Sequence, residues 1–366
     1  MLIFAMVSAC SSSAPSSDWP EWDNFVGRFV REDGHVVDVT FDRKTVSEGQ
    51  AYAMFFALVA NQRSRFDTIL QWTSVELAQG RLGEKLPDWY WGPLSGGGWG
   101  IKDPTSASDA DLWMAYTLLE AARLWNVPAY AETGRKMLRL IQAQEIVDTG
   151  LAGPALLPGV VGFNDGDQRF WIDPSYLPGF IFSYLATVDP QGPWQRVWDS
   201  YVVMALRSFS AGVAPDLFVV DSQGKLTQDT QRPPSGSYDA IRVYLWAGMS
   251  GRNSEELVRL LAPYADLTDR RGAPPEKVDP VTGAATTSGF SPIGFSGAML
   301  PFLSALGDRH GLDRQYSRLR WARIGAALGR PTNYYDQALI LFGKGWIDGR
   351  YRFDAQGRLQ PKWAEK

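Results

Sequence analysis

The stretch that decides the fold is SASDADLWMAYTLLEAARLW, residues 106–125. Its start predicts a helix N-terminus, because the Ser106 hydroxyl can cap free backbone N–H groups and Asp109 places an acid in the first turn. After Asp111 the segment carries only two charges, Glu120 and Arg123, over about four turns. A helix that is apolar on nearly every side is buried on nearly every side. The stretch therefore predicts a buried helix with two carboxylates at its start.

Two further segments repeat this design. TVSE at 45–48 has the spacing of a capping box and opens an apolar run that contains no charge before Arg63. SYD at 237–239 opens AIRVYLWAGM, whose only charge is Arg242. Three acids, Glu48, Asp109 and Asp239, are thus predicted in the first turns of three separate buried helices.

Two kinds of helical segment alternate from Trp19 onward. Six are amphipathic, at 19–31, 63–79, 131–145, 194–208, 253–264 and 313–328. Six are more evenly apolar, at 48–61, 109–125, 174–186, 237–249, 294–306 and 334–343. This alternation predicts an all-α fold, a closed double ring in which six parallel inner helices are covered by six outer ones. The N-termini of the inner helices, and the three acids with them, would then meet at one end.

The connections fit a single domain over residues 19–366, because no Pro- or Ser-rich break divides the chain after residue 18. Segments 217–228 and 350–363 predict β-hairpins with Gly-containing turns. The long connection at 80–105 contains Trp89, Trp91 and Trp99 around SGGGWG, which favours a functional loop over a linker.

The composition restricts the chemistry. The net charge of −4, without a basic run, argues against nucleic acid as a partner. One cysteine and two histidines, His35 and His310, have no metal-ligand spacing, so we expect no metal, no cofactor and no Ser-His-Asp triad. The 15 Trp and 14 Tyr residues favour a surface that stacks on sugar rings, although any single ring can equally belong to the core.

Residues 1–18 predict a leader and a tether. MLIFAMVSA is too short to span a bilayer, and Val7-Ser8-Ala9-Cys10 looks like a lipobox followed by a Ser-rich stretch. Ordinary signal cleavage nearby is the alternative. Either route predicts an exported protein, periplasmic or secreted, and lipidation of Cys10 would make it an outer-membrane lipoprotein.

Paired carboxyl groups across a cleft are the minimal equipment for hydrolysing a glycosidic bond. Each acid has a simpler interpretation too, as a helix-terminal charge that the macrodipole favours. A helix N-terminus lowers the pKa of a carboxyl group, whereas a general acid needs a raised pKa. Burial and a neighbouring carboxylate would have to outweigh the helix.

The three helix-opening segments closely resemble the signature segments of glycoside hydrolase family 8, and within it those of the endoglucanases of bacterial cellulose-synthase operons. Further blocks agree in the same order: WPEWDNF, RLGEKLPDWYWG, DPSYLPGF, PPEKVDPVTG, GFSGAMLPFL and YYDQALILFGKGW. The resemblance covers nearly all of residues 19–363. Thr117 stands where Ser or Ala is expected, a departure that affects no catalytic role.

The resemblance implies an (α/α)6 barrel and an inverting endo-β-1,4-glucanase. It implies that Glu48 is the general acid and Asp239 the general base that activates water. Asp109 corresponds to an acid that grips and distorts the sugar at the cleavage point. Asp111 is then structural.

The resemblance also implies the substrate contacts. Tyr238 and Arg242 would flank the base, Tyr176 would reach the same sugar, and Trp91 and Trp99 are the expected stacking platforms. The expected partner is a β-1,4-glucan chain bound by a monomer, and a cellulose-synthase or export complex is the protein partner that the resemblance raises.

Three alternatives stay open at this point. The first is a chitosanase, xylanase or lichenase on the same scaffold. The second is a non-catalytic glucan-binding protein that assists cellulose export, which would not need the three acids. The third is a lyase for acidic polysaccharides, against which the negative charge and the scattered histidines argue.

Overall fold

The computed structural model describes residues 18–40, 43–166, 168–227, 229, 233–289, 291–324, 327–328 and 333–365. Its helices form an inner and an outer set. The inner helices are α2 (Ser47–Val59), α4 (Ser108–Trp125), α6 (Gly179–Val188), α8 (Ala240–Met249), α11 (Ile293–Leu306) and α13 (Tyr334–Ile347). The outer helices are α1 (Pro20–Phe29), α3 (Arg63–Trp72), α5 (Pro128–Gln144), α7 (Trp194–Ser208), α9 (Glu255–Leu260), α10 (Ala262–Arg271) and α12 (Arg309–Trp321).

The inner helices pack against one another in chain order, and each outer helix packs against an inner neighbour. For α10 this contact is the stacking of Tyr264 on Tyr244 of α8. Phe342 of α13 closes the ring, because its ring centroid lies 4.5 Å from that of Phe56 and 5.1 Å from that of Tyr52, both on α2. Across the centre the same ring meets Trp113 of α4 and Trp246 of α8. The predicted (α/α)6 barrel is confirmed.

Burial separates the two sets as their sequences predict. Every residue of α4 from its first position through Ala121 is buried. In α7, by contrast, Trp194, Val197, Trp198 and Tyr201 are buried at helical spacing, and the opposite face meets solvent.

The helices α11 and α13 approach each other at two glycines. A Cβ atom added to Gly343 would lie 1.8 Å from the carbonyl oxygen of Gly297, which no side chain can tolerate without a shift of the backbone. The absence of a side chain at Gly343 therefore allows the two helices to touch directly.

Short antiparallel sheets occupy the connections. One has the order β1 (Thr45–Val46), β2 (Tyr90–Pro93), β3 (Trp99–Asp103), and another β6 (Arg169–Ile172), β7 (Phe218–Asp221), β8 (Leu226–Thr227). Two-stranded pairs join β4 (Ile146–Asp148) to β5 (Pro154–Leu156), β9 (Arg323–Ile324) to β10 (Ala327–Leu328), and β11 (Tyr351–Phe353) to β12 (Leu359–Pro361). The hairpins predicted at 217–228 and 350–363 are confirmed, whereas the addition of β6 to the first of them was not predicted.

The predicted helix caps are wrong. Neither α2 nor α4 has a side-chain cap, and α4 begins two residues after Ser106. The Ser106 hydroxyl donates instead to Glu145 Oε1 at 2.5 Å, and the Thr45 hydroxyl donates to the carbonyl oxygen of Val36 at 2.7 Å. Both hydroxyls form tertiary hydrogen bonds, so they are not available to the helix ends.

Several predicted boundaries also differ. The segment 174–186 opens with a single 3-10 turn, and its helix begins only after Pro178, because the fixed backbone of Pro178 precedes the first turn. The segment 253–264 is two short helices, and 313–328 leaves the helix after Trp321 to form β9. The predicted leader, including Cys10, lies outside the described residues except for Asp18. No helix in the described part of the chain is long and apolar enough to cross a membrane.

Candidate active site

Glu48 is the second residue of α2, and a strand fixes where that helix begins. The strand β1 pairs with β2, and the N–H of Ser47 donates to the carbonyl oxygen of Trp89 at 3.0 Å. The indole N–H of Trp89 donates to Glu48 Oε1 at 3.2 Å. Glu48 is thus held between the start of its own helix and the loop that contains Trp89.

The pKa of Glu48 is raised above its ordinary value, chiefly by burial. Asp239 acts in the same direction, whereas the backbone of the helix start, Arg242 and Trp89 act in the opposite one. Burial therefore outweighs the helix N-terminus, which the sequence alone could not decide.

Asp109 is the second residue of α4 and is 2% exposed. Its Oδ1 accepts the N–H of Ala110, and its Oδ2 accepts the hydroxyl of Tyr52 at 3.3 Å. Burial, followed by the charge of Glu48, raises the pKa of Asp109 to about 8. Asp109 therefore carries its proton near neutral pH, unlike an ordinary aspartate.

Asp239 stands at the N-cap of α8 and differs from the other two acids in its environment. Its side chain is 47% exposed, and its Oδ1 accepts a hydrogen bond from Arg242 Nη2 at 3.0 Å. Asp239 thus combines access to solvent with a cationic partner.

Arg242 connects the parts of the site. The same Nη2 that binds Asp239 donates to Ser175 Oγ at 2.9 Å and lies 4.0 Å from Asp109 Oδ2. Its Nη1 donates to the hydroxyl of Tyr335 at 3.0 Å. The guanidinium group therefore links α4 and α8 to the DPSY turn and to α13 at one end of the ring.

Of the two predicted tyrosines, Tyr176 lies beside this arginine, and Tyr238 packs against Tyr335, which binds the arginine. The ring centroid of Tyr176 lies 5.8 Å from the guanidinium carbon of Arg242. Tyr238 is 41% exposed, and its hydroxyl donates to Glu276 at 2.7 Å. The structure thus brings five predicted residues together with Glu48: Asp109, Asp239, Arg242, Tyr176 and Tyr238.

Trp91 and Trp99 lie on β2 and β3, the two strands that follow Trp89 in the chain. Their rings stack at a centroid distance of 5.2 Å, and Trp99 is 48% exposed. Trp91 also contacts His35 and Trp72 edge-on, so these two rings cover part of its surface. Trp99 consequently offers the more open of the two ring faces.

Asp111 lies behind the site. It is fully buried against Glu145, whose pKa burial raises to about 7 and which accepts the Ser106 hydroxyl. Burial, followed by the charge of Glu145, raises the pKa of Asp111 well above its ordinary value. This pair joins the start of α4 to the segment after α5, which supports a structural role for Asp111.

Four contacting residues were not predicted as site residues, although Trp89 lies in the loop that was predicted to be functional. They are Tyr52, Trp89, Ser175 and Tyr335. Tyr335 lies in the first turn of an inner helix, so the rule that found the acids could have found it. Tyr52 and Ser175 have no local signal, and the partner of Trp89 could not be predicted, because only the folded ring brings these contacts together.

The described residues contain no group of three or more His, Cys, Asp or Glu side chains that could hold a metal ion. The site contains carboxyl groups in different environments, next to exposed aromatic rings. One half-buried acid has a raised pKa, one is solvent-accessible and paired with arginine, and both stand at the same end of an (α/α)6 barrel. The fold and the site together define the class of the protein, a glycoside hydrolase.

Comparisons with known proteins narrow this class. Residues 2–349 match the family model of glycosyl hydrolases family 8. The endoglucanase of Xanthomonas axonopodis pv. citri (strain 306) is 43% identical over 367 residues, which cover 99% of this chain and 94% of that protein. The endoglucanase of Escherichia coli O157:H7 is 39% identical over 369 residues, covering 100% and 97%.

A solved structure supports the same family assignment. The crystal structure of endo-1,4-D-glucanase from Vibrio fischeri ES114 superimposes with a TM-score of 0.88 at 35% sequence identity, covering 95% of this chain and 100% of that one. The chain therefore belongs to glycosyl hydrolases family 8, and the resemblance of its signature segments to that family is confirmed.

Proposed function

We propose that the protein is an inverting endo-β-1,4-glucanase with Glu48 as general acid and Asp239 as general base. The observation that carries the proposal is the difference between the two carboxyl groups. Burial raises the pKa of Glu48, which favours the protonated form that an acid needs. Asp239 meets solvent and accepts a charge-assisted hydrogen bond from Arg242, as suits a group that takes a proton from water.

The reaction is a single displacement. Water held by Asp239 attacks the anomeric carbon and gives its proton to Asp239. At the same time the bond to the departing oxygen breaks, and Glu48 donates its proton to that oxygen. The product has the inverted configuration.

Asp109 is proposed to grip the sugar at the cleavage point. With a pKa raised to about 8, it is a hydrogen-bond donor at neutral pH and can bind a sugar oxygen without adding a charge beside Glu48. Tyr176, Tyr238 and Arg242 are proposed to contact the same sugar, and Trp99 stacked on Trp91 is proposed as a platform further along the chain.

The proposed substrate class is inferred from the names of the similar proteins. The proteins 43% and 39% identical to this chain are endoglucanases, and the solved structure at 35% identity is an endo-1,4-D-glucanase. We therefore propose β-1,4-glucan as the substrate, bound by a monomer with a single catalytic domain from residue 19 onward. Chitosan, xylan and mixed-linkage glucan are the competing substrates, and they belong in the first assay.

The test is the release of reducing ends from carboxymethyl-cellulose by the wild-type protein and Glu48→Gln, with the product anomer followed by NMR. We expect initial release of the α-anomer and a loss of about 10²- to 10⁴-fold in Glu48→Gln, while glucan binding persists. Glu255→Gln is the matched control, since Glu255 is also a first-turn acid but lies exposed on α9.

Three outcomes would contradict the proposal. Wild-type activity in Glu48→Gln would remove the acid assignment, and initial release of the β-anomer would exclude inversion. Glucan binding with no hydrolysis of any of the four polysaccharides would favour a binding protein that assists export.

We also propose a role in bacterial cellulose biosynthesis, with export to the periplasm or beyond and contact with the cellulose-secretion machinery. The support is the sequence resemblance to endoglucanases of cellulose-synthase operons and the lipobox pattern at Cys10. Fractionation of cells expressing the wild-type protein and Cys10→Ser tests the anchor. Membrane association of the wild-type protein alone would support it, and equal release of both would exclude it.

A further inference from the structure

The start of α8 is capped by a residue from another part of the chain. Asp239 occupies the N-cap position, yet its side chain caps no helical N–H group. Asp216 Oδ1 instead accepts the N–H of Ser237 at 2.7 Å and that of Ala240 at 2.9 Å. A single oxygen atom therefore binds the amide two residues before Asp239 and the amide directly after it.

Asp216 is itself tied to the same segment. Its backbone N–H donates to the carbonyl oxygen of Ser235 at 2.6 Å, so its main chain and its side chain both hold residues 235–240. A second residue also contacts this segment, because the hydroxyl of Tyr335 donates to the carbonyl oxygen of Tyr238 at 2.5 Å. The backbone that presents Asp239 is thus held by Asp216 and by Tyr335.

We propose that Asp216 is a positioning residue for the general base. This inference rests on the proposed function, in which Asp239 activates water. By fixing the amide of Ser237 and the amide that directly follows Asp239, the Asp216 carboxylate sets the direction in which the Asp239 side chain leaves the helix. The hydrogen bond from Arg242 then fixes its remaining rotation.

The surroundings of Asp216 leave room for a changed side chain. The residue also borders a cavity of about 380 Å³, which Pro215, Pro234 and Pro280 help to line. A changed side chain at this position can therefore extend into open space rather than into packed core, so we expect the variants to fold.

The experiment compares Asp216→Ala, Asp216→Asn and Asp216→Glu with the wild-type protein on carboxymethyl-cellulose. For Asp216→Ala we expect kcat to fall about 10- to 100-fold, because displacement of a catalytic group by about 1 Å costs that much. KM should stay within about twofold, as for a group that acts only in the transition state. Asp216→Asn keeps an acceptor oxygen and should recover most of the loss.

A matched control separates positioning from stability. Asp308 caps the outer helix α12 by accepting the N–H of Gly311 at 2.9 Å, and no residue of the site belongs to that helix. Asp308→Ala should lower Tm by a similar amount to Asp216→Ala while kcat stays unchanged. Should Asp216→Ala fail to fold, Asp216→Glu gives the answer, since it keeps the charge, displaces the oxygen and should still lower kcat.

Asp239→Asn separates a failure of the positioning role from a failure of the proposed function. If Asp239→Asn is inactive and Asp216→Ala or Asp216→Glu keeps the full wild-type kcat, the positioning role is overturned and the proposed function stands. If Asp239→Asn retains wild-type activity, the proposed function itself fails. If both lose activity, adding Asp216→Ala to Asp239→Asn should cost nothing further, and an additional loss of equal size would show that Asp216 acts elsewhere.

Discussion

One nitrogen atom of Arg242 both binds Asp239 and lies near Asp109. Its Nη2 lies 3.0 Å from Asp239 Oδ1 and 4.0 Å from Asp109 Oδ2. The two acids start different inner helices, so this arginine sets the distance between the proposed base and the acid proposed to grip the sugar. The guanidinium group has a planar fork of donors, which lets it hold several partners at fixed angles.

Replacing this arginine by lysine tests that geometry. Arg242→Lys keeps the charge but cannot donate at once to Ser175, Tyr335 and Asp239. We expect kcat on carboxymethyl-cellulose to fall about 10²- to 10³-fold, the cost of removing a preorganised donor. Arg259→Lys is the control, because Arg259 is an exposed arginine that pairs with Glu255 on an outer helix. A kcat within twofold of wild type in Arg242→Lys would show that charge alone suffices.

The hydrogen bond from Trp89 predicts a change in pH dependence. The indole N–H donates to Glu48 Oε1, which favours the ionised form and lowers the pKa of Glu48 against the raising effect of burial. Trp89→Phe removes the donor and keeps most of the ring, so the pKa should rise further. The alkaline limb of kcat/KM, which reports the free enzyme's acid, should move to higher pH.

Trp363→Phe is the matched control for this measurement. Its indole N–H donates to the carbonyl oxygen of Leu58 at 3.1 Å, and it touches no acid of the site. An alkaline limb that stays in place in Trp89→Phe, or moves to lower pH, would contradict the role given to this hydrogen bond.

The fold could be predicted from the sequence because the decisive pattern is local. The inner helices are apolar on every side, as in α2 and α4, and the outer ones are amphipathic, as in α7. Alternation of the two kinds fixes the ring, and the ring brings the N-termini of the inner helices together. The convergence of Glu48, Asp109 and Asp239 follows from that topology.

The rest of the site depends on contacts that no local pattern specifies. Trp89, Ser175 and Asp216 come from connections between helices, and each finds its partner only when the ring closes. The predicted caps failed for the same physical reason. The hydroxyls of Thr45 and Ser106 have tertiary partners, Val36 and Glu145, that compete with the helix ends.

The contact between α11 and α13 gives a prediction about stability. Gly343→Ala places a Cβ atom 1.8 Å from the carbonyl oxygen of Gly297, so the helices must separate. We expect a loss of about 1–3 kcal/mol or more in the free energy of unfolding, measured by urea denaturation. Gly27→Ala is the control, because nothing lies within 4 Å of its Cβ position on α1. That change should stabilise the protein by about 0.5–1 kcal/mol, and a Gly343→Ala variant as stable as wild type would contradict the close approach.

Replacing the buried Asp109 by asparagine should raise the stability of the protein and lower its activity. Its pKa is raised to about 8 in the folded protein, whereas an unfolded aspartate has an ordinary pKa of 3.8. The folded state then binds more protons than the unfolded one, so the contribution of Asp109 to stability falls as pH rises from about 4 to about 8. Asp109→Asn removes this titration, and Asn preserves the shape and an acceptor for Tyr52.

We expect Asp109→Asn to be more stable than wild type by about 1–3 kcal/mol at pH 7, with the difference shrinking toward zero near pH 4. Urea unfolding at a series of pH values measures it, and kcat on carboxymethyl-cellulose should fall because the proposed grip on the sugar is weakened. Asp148→Asn, at an exposed position on β4, should show no pH-dependent gain. A gain that is equal at pH 4 and pH 7 would mean that burial of the Asp109 charge is not its cause, and unchanged kcat would remove Asp109 from the site.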